Sequence, residues 1–334
     1  MKGARARTAA PGASAILAAM TTLFRDVAAH ARFPAGSVLA IGAFDGVHRG
    51  HQRLLAGAQG RARALGLPAV ALSFEPLPRE YFARGEPPAR LTPARAKYEL
   101  LREGGMDAVA LLRFGPALAS MPATDFVEQV LVHAMAARSV WVGPDFRFGQ
   151  GRSGDIELLR EQGRRHGFEV QVASEVRDEH GLRIGATRIR QALAAGAFLA
   201  AGDGLGRPYS IAGRVIRGRQ LGRALGFPTA NIAIPWRPAV RGVLAVRVHG
   251  PGLHAWPGVA SLGTRPTVGG GPSVLESHLF DFDGDLYGLR LQIEFVARLR
   301  EERHFDSLDA MIVQMHEDAR QARAALAIAP ADAA

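Results

Sequence analysis

A mostly parallel α/β sheet followed by a small antiparallel β-barrel and one closing helix is the fold class this sequence predicts. Three observations carry it. The chain has 334 residues, which is long for one core and points to two domains. Its first half alternates short apolar runs with amphipathic stretches, the pattern of a parallel sheet covered on both faces. After Gly196 the pattern turns to β-type runs separated by Gly and Pro, with a single helical pattern at the end.

In order along the chain, residues 1–19 are Ala- and Arg-rich and read as a disordered extension, with Met20 as an alternative start. Lys2, Arg5 and Arg7 ahead of Ala15–Met20 outline a secretory signal, but that apolar stretch is shorter than an h-region. Ser37–Ala43, Ala69–Phe74, Ala108–Phe114, Ser139–Val142 and Phe168–Val172 read as buried strands. Helical spacing fills His51–Leu65, Pro93–Glu103, Thr124–Ala136 and Gly154–His166, with Thr124 and Asp125 as an N-cap signal. Gly202–Asp203–Gly204 marks a linker or turn. Beyond it, Tyr209–Ile216, Val243–Val248, Gly258–Leu262, Val274–Phe280 and Leu289–Val296 are barrel strands. Asp306 caps a last helix whose stripe Leu308, Met311, Ile312 and Met315 predicts core packing. The domains expected are 20–200 and 206–327, with a tail over 328–334.

Composition excludes several classes. There is no cysteine, so disulfides, zinc–thiolate centres and cysteine nucleophiles are out, and a reducing cytoplasm suits the chain. No apolar run reaches the roughly 18–20 residues that cross a bilayer. The net charge of +10 is almost all arginine, since Lys2 and Lys97 are the two lysines. Those arginines are dispersed among acids, so phosphate-bearing substrates explain them better than nucleic acid or a membrane.

Ile41–His51, IGAFDGVHRGH, is the strongest local signal. A strand ends, a Gly-containing turn follows, and two histidines three apart open a helix. Glycine lets backbone approach phosphate, and a helix N-terminus offers free N–H groups and a positive dipole end. His48 and His51, one turn apart, can address one anion and stabilise charge on a polyphosphate as it is cleaved. Alone, the motif also admits a His–His metal site or a structural turn. Ile184–Arg190, IGATRIR, adds arginine forks suited to phosphate.

Together with FEPLPREYF (Phe74–Phe82), RLTPARAKYELL (Arg90–Leu101) and VGPDFRFGQGRSGD (Val142–Asp155), these motifs resemble the adenylyltransferase half of bacterial bifunctional riboflavin kinase/FAD synthetases. The resemblance spans roughly residues 36–200 and implies a Rossmann-like nucleotidyltransferase domain. It implies that His48 and His51 contact the ATP phosphates, and that Gly42, Phe44, Asp45 and Gly46 shape the nucleotide pocket. Asp145, Phe146 and Arg147 are implied to place the flavin, and Thr187, Arg188 and Arg190 to grip the triphosphate. The family usually has two serines before that threonine. Here Gly185 and Ala186 replace them, which predicts weaker ATP binding but not lost activity.

Gly213–Asn231, GRVIRGRQLGRALGFPTAN, spaces Gly213, Gly218, Gly222 and Gly226 as in a flap over phosphates, although surface turns would do the same. No P-loop motif exists in the chain. Thr229 and Asn231 point to one side of an extended segment, where a hydroxyl and an amide oxygen suit Mg²⁺. Asp281–Asp285, DFDGD, fails as a calcium loop because its twelfth position is Gln292; a hairpin turn is expected. With GRPYSIAGRV, LGFPTAN, GVASLGTRPT, LESHLFDFDGDLYG and FVARLREERHFDSL, residues 206–326 are similar to the riboflavin kinase domain of the same family. The resemblance implies that Thr229 and Asn231 hold Mg²⁺–ATP. It also implies that Glu276 is the general base for the riboflavin 5′-hydroxyl, and that Arg300, Glu302 and Phe305 belong to the flavin end.

The activity implied is phosphorylation of riboflavin to FMN, then adenylylation of FMN to FAD, with ATP and Mg²⁺ in both steps. The alternatives are an HxGH nucleotidyltransferase with another acceptor, such as a pantetheine or nicotinamide nucleotide, and a non-catalytic flavin- or nucleic-acid-binding regulator. The kinase-like half argues against the first. The presence of His48, His51, Thr229, Asn231 and Glu276 argues against the second.

Overall fold

A computed structural model describes residues 21–26, 32–218, 226–264 and 273–327 of the chain. Packing divides them into two compact units. One holds the described residues up to Ala43, with Leu54–Pro78 and Tyr98–Ser174. The other holds Phe44–Arg53, Arg79–Lys97 and the described residues from Glu175 onward.

The first unit is built on a six-stranded parallel sheet: β1 (Thr22–Phe24), β2 (Ser37–Ile41), β3 (Ala69–Glu75), β4 (Ala108–Arg113), β5 (Ala137–Val142) and β6 (Glu169–Val172), in the order β1-β4-β3-β2-β5-β6. Every residue of β2 is buried, as befits a central strand covered on both faces. Strand order reverses beside β2, which lies between β3 and β5. Ligands of open α/β sheets bind at the carboxyl ends of strands at such a switch point. Helix α1 (Arg49–Leu65) packs close to β5, for a Cβ on Gly57 would fall 2.2 Å from the Trp141 ring. On the sheet core lie Phe126, Val127, Val130 and Leu131 of a π-helical stretch (Phe126–Ala134), and Leu159 of the helix Ile156–His166.

The second unit is centred on a closed antiparallel barrel: β7 (Ser210–Ile216), β8 (Ala230–Ile234), β9 (Gly242–Gly250), β10 (Leu253–Thr264), β11 (Ser273–Leu279) and β12 (Arg290–Arg300). Their order round the barrel is β10-β11-β8-β7-β12-β9. Closure removes exposed strand edges. Inward residues such as Ile211, Ile232, Leu244, Leu275 and Ile293 fill the interior.

Five local expectations are corrected. Thr124 and Asp125 are not the cap: the helix starts at Ala123 after Pro122, and Thr124 Oγ1 bonds Asp125 inside the first turn. Gly202–Asp203–Gly204 is not a linker but part of a helix, Phe198–Leu205. Its burial of Phe198, Ala201 and Leu205 outweighs the poor helix propensity of glycine. The cap of the last helix (Leu308–Ala325) is Ser307 rather than Asp306, accepting from Ala310 N–H at 3.2 Å. Asp281–Asp285 does not close a hairpin, because β11 and β12 are not neighbours in the barrel. Finally, Leu308 is 56% exposed, so the apolar stripe is not simply core. Strands β1, of three residues, and β8, whose burial pattern does not alternate, carry no strand signal in the sequence.

Candidate active sites

The first site is the corner between β2 and α1. Gly42 N–H continues the ladder to Leu72 O at 3.1 Å, and the backbone then turns left-handed at Phe44 (φ 48°), Gly46 (φ 84°) and Val47 (φ 42°). For a β-branched valine this is a strained conformation, of the kind that persists at functional sites where surrounding contacts enforce it. Gly46 is required twice over, since a Cβ there would also lie 2.8 Å from Leu91 Cδ1.

Asp45 is the anchor of the corner. Its buried carboxylate accepts from the backbone N–H groups of Leu91 and Thr92, each at 3.0 Å, from Arg190 Nη2 at 2.8 Å, and from Arg79. Thr92 Oγ1 in return accepts from Gly46 N–H at 3.0 Å. Burial pushes the Asp45 carboxyl up, but Arg79, Arg190 and the Thr92 N–H together prevail and hold it below the ordinary carboxylate range.

Within the same unit, His48 and His51 stack with ring centroids 3.7 Å apart and planes 22° apart, and Phe44 meets His51 edge-on. Gly50 makes this possible, because a Cβ there would come within 3.1 Å of the His48 ring. Burial, helped by Arg183, Arg190 and Arg207 against the pull of Asp45, lowers His48 to about 4. Burial, with His48 and Lys97, also takes His51 well below its ordinary value. Both rings are therefore neutral at pH 7. His48 Nδ1 accepts the His51 backbone N–H at 3.4 Å, which assigns the ring proton to Nε2. His51 Nδ1 is buried with no hydrogen-bond partner among the described residues. Two neutral rings with N–H donors beside a helix N-terminus make an anion-stabilising constellation.

The remaining predicted residues of this half are placed differently. Arg190 spends Nε on Ala89 O at 2.7 Å and Nη2 on Asp45, so the fork expected to grip phosphate is largely engaged in holding the corner together. Arg188 is directed to Asp178 Oδ2 at 2.8 Å and Arg183 O at 3.2 Å. Thr187 is exposed in the first turn of the helix Ala186–Ala194, whose cap, Gly185, has no side-chain hydrogen bond. Asp145, Phe146 and Arg147 belong to the first unit and follow β5. Phe146 stacks on Phe148 at 5.4 Å, and Arg147 pairs with Asp155 at 3.2 Å.

The second site lies on the barrel, where two cavities share Thr229. One, about 450 Å³, is bordered by Gly218, Thr229, Asn231, Ser277, Asp283 and Asp285. The other, about 340 Å³, is bordered by Phe227, Thr229, Glu276, Arg300, Glu302 and Phe305, with Met311 and Met315 from the last helix. Those methionines were expected in the core and instead offer adaptable apolar surface to a cavity. In the barrel register Glu276 pairs with Asn231 on one side and Ser261 on the other. Asn231 Nδ2 donates to Thr229 O at 3.1 Å and Oγ1 at 3.2 Å. A Cβ on Gly218 would fall 2.8 Å from Asn231 Oδ1, so glycine keeps the space beside that oxygen open.

Gly213 requires a correction. It lies inside β7, paired with Leu291, and a Cβ on it would sit 2.2 Å from Ile232 Cγ2. Its role is to admit the isoleucine to the barrel interior, not to fold over phosphate. Gly222 lies outside the described residues. Arg300 is bound bidentately by Asp318 of the last helix at 2.8 and 2.7 Å. Partial burial pushes the Glu302 carboxyl up against the influence of Arg241 and Arg300. Its carboxylate occupies the space a Gly263 side chain would take. Sequence reasoning missed Arg79, Leu91, Thr92 and Phe227, because their roles arise from segments brought together only by folding.

Residues 30–188 match the FAD synthetase family and residues 205–326 match riboflavin kinase. The chain is 45% identical over 289 residues to the bifunctional riboflavin kinase/FMN adenylyltransferase of Escherichia coli strain K12, covering 86% of this chain and 92% of that protein. The protein of the same description from Pseudomonas fluorescens is 46% identical over 291 residues, covering 86% and 93%. The crystal structure of a macrolide-efflux protein from Streptococcus pneumoniae is similar at 31% identity and TM-score 0.74, covering 89% of this chain and 97% of that one. Among the described residues here, no helix is long and apolar enough to cross a membrane. Two family matches in tandem, and relatives aligned over nearly their whole length, settle the assignment: this chain belongs to the bifunctional riboflavin kinase/FMN adenylyltransferase family.

Proposed function

We propose that this chain makes FAD in two steps at two sites, phosphorylating riboflavin on the barrel and adenylylating FMN at the strand-to-helix corner. The two activities are those of its family. The observation that carries the assignment of sites is the pairing of Glu276 with Thr229 at one cavity and of stacked, neutral His48 and His51 at the corner. The functional halves are taken as residues 20–200 and 206–327, and the cysteine-free composition suits work in the cytoplasm.

On the barrel, the cavity with Phe227, Met311 and Met315 suits the flat, apolar flavin, and the cavity with Asn231 and Gly218 suits the nucleotide. Thr229, common to both, stands where the γ-phosphate meets the flavin 5′-hydroxyl. The hydroxyl oxygen attacks the γ-phosphorus while Glu276 takes the proton, and ADP leaves. General-base help of this kind contributes about 10²–10⁴-fold. The donor set fits Mg²⁺, since Thr229 Oγ1 and Asn231 Oδ1 are hard oxygens. Among the described residues, no cluster of three or more His, Cys, Asp or Glu side chains is placed to hold a metal. When bound, Mg²⁺ neutralises phosphate charge.

At the corner, a phosphate oxygen of FMN attacks the α-phosphorus of a second ATP and pyrophosphate leaves. His48 donates from Nε2 to the oxygens on which charge develops, and the N-terminus of α1 adds backbone N–H groups. Thr187 and Arg188 bind the triphosphate, and Phe146, between Asp145 and Arg147, offers a ring to the flavin.

Chromatography of products from riboflavin, ATP and Mg²⁺ tests the scheme. His48→Ala with His51→Ala is expected to stop the reaction at FMN, and undiminished FAD would remove the histidines from the mechanism. Glu276→Gln is expected to slow FMN formation by about 10²-fold or more while added FMN is still adenylylated. Parallel loss of both activities would refute the two-site assignment.

A further inference from the structure

The corner that presents the histidines is held by the segment leading into the barrel. Arg207 stands between the helix Phe198–Leu205 and β7. Its Nη2 donates to Gly46 O at 2.7 Å, and its Nη1 reaches Val47 O at 3.4 Å and Leu205 O at 3.3 Å. From the first turn of α1, Gln52 Nε2 donates to Val47 O at 2.9 Å and to Leu205 O at 2.8 Å. Gly206 between them is left-handed (φ 70°), and a Cβ on it would come within 3.3 Å of Gln52 Oε1. Three consecutive residues, Leu205, Gly206 and Arg207, are thus docked on the corner, and all these groups belong to one compact unit.

We propose that Arg207 is a positioning residue for adenylyl transfer, a side chain from the riboflavin-kinase half that fixes the backbone presenting His48 and His51. The proposal rests on the reading of the histidines given above. Its physical basis is the strained turn. Val47 is left-handed, and a β-branched residue stays in that state only where its surroundings enforce it, whereas Gly46 adopts it freely. Arg207 and Gln52 hold the carbonyls of these two residues. A planar guanidinium fork can reach three carbonyls at once, whereas an ammonium on a flexible stem cannot fix the same geometry. Arg207 also acts on His48 through space. The charged groups facing that ring are Asp45 on its own corner, Arg183 and Arg190 from the segment and helix opposite, and Arg207, with His51 and, through it, Lys97. Removing the Arg207 charge must therefore raise the His48 pKa.

Arg207→Ala, Arg207→Lys and Gln52→Ala in the full chain test this. Three quantities are read: riboflavin phosphorylation, FAD formation from FMN and ATP, and the NMR titration midpoint of the His48 ring. Arg207→Ala is expected to lower kcat for FAD formation by up to about 10²-fold, the cost of a small misplacement in an active site, with phosphorylation unchanged. The His48 midpoint should move up in Arg207→Ala and stay in place in Arg207→Lys, while Arg207→Lys still loses kcat. Gln52→Ala should lower FAD formation without moving the midpoint. FAD formation at the parent rate in Arg207→Ala overturns the proposal. So does a parallel fall of both activities, which would give Arg207 a global folding role. His48→Ala that retains FAD formation would instead overturn the underlying site assignment, whatever Arg207 does.

Discussion

Glycine 213 and arginine 190 show how one residue type can serve opposite ends. Both stand in segments whose composition points to phosphate, and the structure uses Gly213 for packing and Arg190 chiefly for tying Asp45 to Ala89. Gly213→Ala puts a methyl 2.2 Å from Ile232 Cγ2, an overlap with a branched side chain in a closed barrel. Overpacking of this sort costs about 1–3 kcal/mol. Urea unfolding should register that loss, while KM for ATP in riboflavin phosphorylation should not change. A raised KM with undiminished stability would return Gly213 to the nucleotide site. At Gly218, by contrast, the missing side chain opens space beside Asn231 Oδ1, so the same substitution there strikes the cavity proposed for the nucleotide.

The closing helix is an element whose packing has a functional edge. Leu308 at its start is exposed, Met311 and Met315 border the cavity proposed for the flavin, and Asp318 and Ala322 are its buried residues. Asp318 holds it to β12 through the bidentate pair with Arg300 and also accepts from Gln314 at 2.7 Å. Removing one partner of a buried ion pair leaves the other uncompensated and costs about 3–5 kcal/mol; Arg300 keeps some access to water, which favours the lower end. Asp318→Ala should therefore lower stability by about 3 kcal/mol and raise KM for riboflavin more than KM for ATP. Equal stability of variant and parent in thermal unfolding would show that the helix is held by its apolar face alone. The helix Phe198–Leu205 makes the same point in reverse, since three glycine-rich residues that look like a tether are helical because their neighbours are buried.

For the molecule as a whole, the buried histidines predict how stability depends on pH. The folded pKa of His48 is lowered by burial to about 4, from an ordinary value of 6.5. Between those values the unfolded chain binds a proton that the folded chain refuses. Stability is therefore full above pH 6.5 and falls as pH drops towards 4. The loss from His48 is on the order of 3 kcal/mol, and His51, displaced in the same direction, adds to it. Asp45 acts in a different window: its carboxyl is depressed, so its contribution is present above the ordinary carboxylate pKa and is lost only below it. Denaturant midpoints measured from pH 7 to pH 4 should fall in the parent. The fall should be shallower in a His48→Ala, His51→Ala variant, and identical slopes would refute neutral histidines in the folded corner.

Much of this was legible from the sequence. Apolar runs of strand length, alternation with amphipathic segments and the change to Gly- and Pro-punctuated β segments are local properties, and they determined the parallel sheet, the barrel and the order of both. The candidate motifs at His48–His51 and Thr229–Asn231 also stand out locally, because polar groups concentrated in a few contiguous residues leave a trace, whereas Glu276 enters only through the family resemblance. What only the tertiary structure decided is how distant groups share one charge or one space. Asp45 draws Arg79, Leu91, Thr92 and Arg190 from three other segments, Arg207 reaches the corner from a residue 161 positions away, and Ile232 claims the room left by Gly213. Such partnerships depend on closing long loops, and sequence periodicity reports only the environment of each segment, not which segments meet. A polar or glycine residue therefore announces a need locally, and the fold alone chooses whether a ligand or the protein itself fills it.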